Sequence, residues 1–110
     1  ADRTRPLMEL RLRGEIWHWR GPSPFHFVTV PAPQSARIRA ASATLTYGWG
    51  VIPVTGTIGA TRFQTSLFPK DGAYLVPIKD AVRRAEGLAL GDRVSIVLQF
   101  DPERPRRSAR

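Results

Sequence analysis

Residues 73–100 read AYLVPIKDAVRRAEGLALGDRVSIVLQF, and the architecture of the chain follows from how that run is parsed. AYLVP has the composition of a short strand, and Pro77, with no N–H to give a ladder, suits the entry to a helix. Ile78, Ala81, Val82 and Ala85 then recur at helical spacing and predict one apolar helix face. Gly87 is the expected stop, because a helix commonly ends on a left-handed residue. LALGD packs two leucines and turns at Gly91-Asp92, and RVSIVLQF alternates so that Val94, Ile96, Leu98 and Phe100 share the buried face of a strand. The cations of the helix are unevenly matched. Asp80 and Arg84 form an i, i+4 pair, whereas Lys79 and Arg83 place like charges on one face with Glu86 in reach of Arg83 alone. Lys79 and Arg83 are therefore candidates to face an anion, against the simpler reading of a solvated helix face.

Working outward, the rest of the chain reads as short strands joined by turns. LMELRLRGEIWHW alternates strictly, with Met8, Leu10, Leu12, Ile16 and His18 on one face and Glu9, Arg11, Arg13, Glu15, Trp17 and Trp19 on the other. Gly14 marks a bulge or bend. If it reverses the alternation, both indoles pack under a loop; if it does not, they face water beside Arg11 and Arg13. RGPSP is a turn, FHFVTVP a strand ending at Pro31, and PQSARIRAAS a weak helix anchored by Ile38 alone. TYGWG reads as a loop leading into the strand VIPVTGTI, where Pro53 requires an edge or an unpaired N–H. IGATRFQTSL is a hairpin turning at Gly59-Ala60, and FPKDG is a turn in which Gly72 takes positive φ. The whole is mainly β, a barrel of about six strands with one or two short helices. VTVPAPQSARIRA and YLVPIKDAVRRAE echo each other, each a strand, Val-Pro, and a helix with an arginine six positions past the proline (Arg37, Arg83). A real duplication implies a pseudo-twofold barrel made from one chain.

At 110 residues the chain is one domain, with residues 7–101 as the barrel and with tails 1–6 and 102–110, poor in apolar side chains, expected to be disordered. No run approaches the roughly 20 apolar residues of a membrane span, and ADRTRP lacks the apolar core of a signal peptide, so a cytoplasmic location is the default expectation. The absence of cysteine excludes disulfides, thiolate–zinc sites and cysteine nucleophiles. The net charge is +8. Arg3 and Arg5 against Asp2, with Arg104, Arg106, Arg107 and Arg110 against Asp101 and Glu103, account for three of those charges and leave +5 on the body. Such a surface attracts polyanions, nucleic acid included, through a salt-sensitive field, although it also merely keeps a protein soluble.

YLVPIKDAVRRAEGLALGDRVSIVL resembles the unit of the swapped-hairpin β-barrels of bacterial transition-state regulators and antitoxins: strand, proline, basic helix, leucine, Gly-Asp, strand. Most of residues 8–100 further resembles an uncharacterised bacterial family, domain of unknown function nineteen hundred and five, through FHFVTVP, TSLFP, YLVPIK, AVRRAEGL and GDRV. The resemblance implies a double-split β-barrel built from one chain, related in architecture to the swapped-hairpin proteins. It implies no activity.

Catalytic chemistry finds little support. His18 and His26 lie in different strands, clustered carboxylates and hydrolase motifs are absent, and nothing near Ser66 would activate it. An imidazole satisfied within the core is the simpler reading of each histidine. No metal-ligand spacing occurs and no cofactor is called for. The residues point instead to a binding module for an anionic or planar polar small molecule. Its expected site is an aromatic-lined barrel mouth walled by Trp17, Trp19, His26 and Trp49, with Arg62, Lys79 and Arg83 supplying charge. The alternatives are a nucleic-acid-binding module, supported by charge and by the regulator-like barrel, and a small barrel enzyme.

Overall fold

The computed structural model describes residues 8–21, 25–41 and 51–100. The two expected tails and the Trp49 loop lie outside the described residues. Six strands and two helices follow one another in the order β1 (Met8–Trp19), β2 (Phe25–Thr29), α1 (Ala32–Ala41), β3 (Ile52–Ile58), β4 (Thr61–Lys70), β5 (Ala73–Ile78), α2 (Asp80–Glu86) and β6 (Arg93–Phe100). The strands close into a barrel with neighbours β1-β2-β5-β4-β3-β6, every pair antiparallel.

Two strands are long enough to serve two partners in turn, which is what splits the barrel. β1 pairs with β6 through Met8–Glu15 and then with β2 through Ile16–Trp19. β4 pairs with β3 through Thr61–Leu67 and then with β5 through Phe68–Lys70. Exchanging β1 with β4, β2 with β5, α1 with α2 and β3 with β6 maps the strand order onto itself. The echo of the two Val-Pro segments therefore coincides with a pseudo-twofold arrangement of two ββαβ halves.

Inward positions fill the barrel. Leu10, Leu12, Ile16, Val28, Val76, Ile78, Ile96 and Leu98 are essentially inaccessible, with Phe63, Leu67, Tyr74, Val94 and Phe100 closing around them. The interior is a packed core with side chains from every strand. α1 covers one end through Ile38 and Ser35. The Ser35 hydroxyl donates to the Val30 carbonyl (3.0 Å) and accepts from the Tyr74 N–H (3.2 Å), so it joins α1 to both β2 and β5. α2 lies against β4 at the other end.

Several local expectations change. Gly14 is neither a bulge nor a bend: its neighbours pair without interruption, and Leu12 and Ile16 stay on the same buried face. Glycine is needed there because a Cβ would lie 2.7 Å from Val28 Cγ1. Pro77 does not end its strand; it stands within the ladder opposite Phe27, and β5 runs on to Ile78. The ladder tolerates it because pairing with β4 stops at Leu75, so one side of position 77 has no strand partner. Pro53 is accommodated likewise, beyond the Thr55–Thr57 stretch where β3 meets β6. α2 begins at Asp80 and buries Val82 alone, with Ala81 and Ala85 exposed. It ends as expected, Gly87 at φ 64° and the Leu88 N–H bonded to the Arg83 carbonyl (2.9 Å). Leu88 packs on the core, but Leu90 is exposed.

Candidate functional site

The β1–β2 hairpin is written in the sequence as a mirrored pattern, Trp17-His18-Trp19 before the turn and Phe25-His26-Phe27 after it. Antiparallel pairing sets Trp17 against Phe27, His18 against His26 and Trp19 against Phe25. Alternation then sends the two histidines to the inner side and the four aromatic residues to the outer side. His18 and His26 are the inward positions next beyond buried Ile16 and Val28, so they form a half-buried rim to the packed core. Their rings are 4.9 Å apart between centroids.

α2 brings its charge to this rim. Arg83 Nη2 donates to Asp80 Oδ1, one turn back. The arginine side chain is only 22% exposed, and its Nε is buried without a hydrogen-bond partner. Partial burial holds His26 below its ordinary pKa of 6.5, and the charges of Arg83 and then His18 push the same way, with Asp80 acting weakly in opposition. Asp80 is held below the usual carboxylate range by the hydrogen bond from Arg83 and by that residue's charge. The Asp80–Arg84 and Glu86–Arg83 pairings expected of the helix are not those formed. Asp80 takes Arg83, and Glu86 accepts from the Thr61 hydroxyl of β4.

His26 and Arg83 are thus brought together, joined by His18 and Asp80, which the sequence reading left outside the site. The mirrored hairpin pattern is the signal that would have paired the histidines. Trp17 and Trp19 do not wall this rim. They stand on the opposite face of β1, where Trp17 Nε1 donates to Thr29 Oγ1 (3.0 Å) and Trp19 carries Lys70 Nζ 5.3 Å from its ring. Lys79 leads into α2 and extends Nζ to the Gln64 carbonyl of β4 (3.3 Å). Arg62 is an exposed outward residue of β4 opposite Thr57. Trp49 lies outside the described residues. An open groove of about 390 Å³ runs elsewhere, between β1 and α1, with Arg11 and Arg37 on its walls.

Among the described residues no three of His, Cys, Asp and Glu converge to hold a metal ion, and no helix is long and apolar enough to cross a membrane. What the rim offers chemically is a set of donors, Arg83 Nε and two imidazoles, in a partly desolvated and positively biased setting.

No curated protein matches the sequence. A family model, described as Domain of unknown function (DUF1905), matches residues 13–98, from the middle of β1 to near the end of β6 and so across the rim and both helices. That description attaches no activity to the chain. With a match over most of its length and a closed six-stranded barrel to accompany it, the chain belongs to the DUF1905 family.

Proposed function

We propose that the protein is a binding module for a small-molecule anion, taken at the rim by Arg83, His26 and His18. One observation carries the reading: Arg83 Nε is buried and has no hydrogen-bond partner. A buried donor left unpaired costs about 1–3 kcal/mol, so an acceptor delivered by a ligand recovers that loss. Asp80 occupies only one Nη of the guanidinium, which leaves Nε to one oxygen of a carboxylate or phosphate group. The imidazoles add ring N–H donors, and the bound charge favours protonation of His26, whose pKa the unliganded rim holds down.

Titration with inorganic phosphate, followed by NMR of the arginine Nε–H groups and the imidazoles, tests the proposal. Arg83 Nε–H and the rings of His18 and His26 should shift together and saturate, and Arg83→Gln should abolish the histidine shifts. A titration in which Arg83 responds no more than exposed Arg62 overturns the reading.

A further inference from the structure

The outer surface of the barrel changes character along β1. Where β1 pairs with β6, its outward residues are Glu9, Arg11, Arg13 and Glu15, and those facing them on β6 are Arg93, Ser95, Val97 and Gln99. Where the same strand crosses to β2, the outward residues become Trp17 and Trp19. The register continues that face as Phe25 and Phe27 on β2, Leu75 and Pro77 on β5, and Phe68 on β4, with Phe27, Leu75 and Pro77 themselves buried and the accessible rings at its margins. Trp17, Phe27 and Phe25 touch in sequence, with ring centroids 5.5 and 6.0 Å apart. Trp19, Phe25 and Phe68 are 39%, 47% and 42% exposed, and with Leu90 they are the exposed large apolar side chains among the described residues. The core does not account for these three exposed rings, because the inward positions of the same strands already fill the barrel.

The charge of this face is mainly basic, with Glu15 of β1, one alternation before Trp17, and Asp71 after β4 as the acids at its border. The outward positions of β2, β4 and β5 carry no acidic side chain. Lys79, exposed, leads out of β5 one alternation beyond Pro77 and spends one of its three N–H donors on the Gln64 carbonyl, and Lys70 ends β4 with Nζ over Trp19, shared with Asp71 of the following turn at 3.5 Å. Half-exposed rings on a sheet, bordered by cations on a chain of net charge +8, match a partner that is planar, apolar-faced and polyanionic at once. Bases stack on such rings whatever their sequence, and phosphates meet the flanking ammonium groups.

We infer that the outer face of β1-β2-β5-β4 is a stacking platform for single-stranded nucleic acid, with Trp19, Phe25 and Phe68 taking bases and Lys70 and Lys79 taking backbone phosphates. A duplex keeps its base faces stacked within itself and cannot use the rings, so the platform selects unpaired strands.

Fluorescence anisotropy with a labelled twelve-nucleotide oligo-dT, against a duplex of equal length, tests this. The single strand should bind, quench tryptophan emission and outcompete the duplex. Trp19→Ala, Phe25→Ala and Phe68→Ala should each weaken binding about 5- to 150-fold, the range for losing one base stack. Lys79→Ala should reduce the salt slope by about one phosphate contact. Arg83→Gln should leave this binding intact, which separates the platform from the anion site at the rim. Melting curves establish that each variant is folded, and Phe25→Leu, which keeps the apolar surface but removes the ring, should weaken binding as alanine does. Wild-type affinity in the folded triple alanine variant, or preference for the duplex, overturns the inference. So does a dimer dissolved by Phe25→Asp in a protein without affinity for the single strand; the face would then belong to a second copy of the chain.

Discussion

At His26 the fold works against a proton. Its pKa lies below the ordinary 6.5, chiefly through partial burial and then through Arg83 and His18. Below pH 6.5 the unfolded chain therefore binds more protons at this site than the folded one. Stability should fall as the pH drops through 6.5 and level off once the folded pKa has been passed, and above 6.5 this residue contributes no slope. Urea midpoints measured from pH 7.5 to pH 5 should show that decline in the native protein and lose it in His26→Gln. Phosphate at saturating concentration should flatten it, because an anion beside Arg83 and His18 raises the pKa again. Gly14 illustrates a different constraint. Gly14→Ala brings a methyl to 2.7 Å from Val28 Cγ1, in a strand pair with no slack, and should cost about 1–3 kcal/mol by overpacking. Combined with Val28→Ala the cost should be less than additive in a double-mutant cycle, since the second change removes the clashing methyl.

Among the elements, β6 is bound on both sides, by β1 over its whole length and by β3 through Val97–Gln99. Leu98 points into the core and Gln99 points out, where its amide donates to Glu9 (3.0 Å). Leu98→Ala should cost about 2–5 kcal/mol, and Gln99→Ala, at a half-buried position on the outer face with a solvent-exposed hydrogen bond, under about 0.5 kcal/mol. Chemical denaturation of the two variants checks the register directly, since a shift by one residue would reverse their order. α1 depends on a polar contact as much as on Ile38. Ser35→Ala removes the acceptor of the Tyr74 N–H and the donor to the Val30 carbonyl, both buried, and should lower stability by about 1–3 kcal/mol. Ser35→Gly should do no better, because the loss is the hydroxyl and not the side-chain volume.

For the whole molecule, closure is shared between the halves. The contacts β2–β5 and β3–β6 each join one ββαβ half to the other, and β3–β4 spans them through the Gly59-Ala60 turn. Neither half can complete the barrel alone. Two fragments made by opening the chain between Gly59 and Ala60 should each lack a cooperative thermal transition and regain it on mixing, as read by circular dichroism. The intact chain should unfold in one transition. It should fold on the millisecond-to-second scale of barrels dominated by distant strand pairs, and two resolved equilibrium transitions would show that the halves are independent units.

Features set by a local rule were legible without coordinates. The period-two alternation of RVSIVLQF fixes which face of β6 is buried, and the turns at Gly59-Ala60, Gly72 and Gly87 follow from glycine's tolerance of positive φ, observed at 57°, 82° and 64°. The outward side of Trp17 and Trp19 also follows from alternation once Gly14 is known not to break it, but that depended on Val28 approaching from another strand. The same is true of Pro77, whose place in a ladder turns on where β4 stops pairing with β5. Arg83 carries the point furthest. Its helix neighbours offered Glu86 as a partner, yet Glu86 is taken by Thr61 of β4, and the rim it faces exists only because the hairpin sets His18 beside His26. The amino-acid sequence determined the strands, their turns and their buried faces, since these depend on backbone torsion and side-chain period within a few residues. Barrel closure decided the site, because it alone brings residues from β1, β2 and α2 within reach and fixes which polar groups keep a partner and which are left without one.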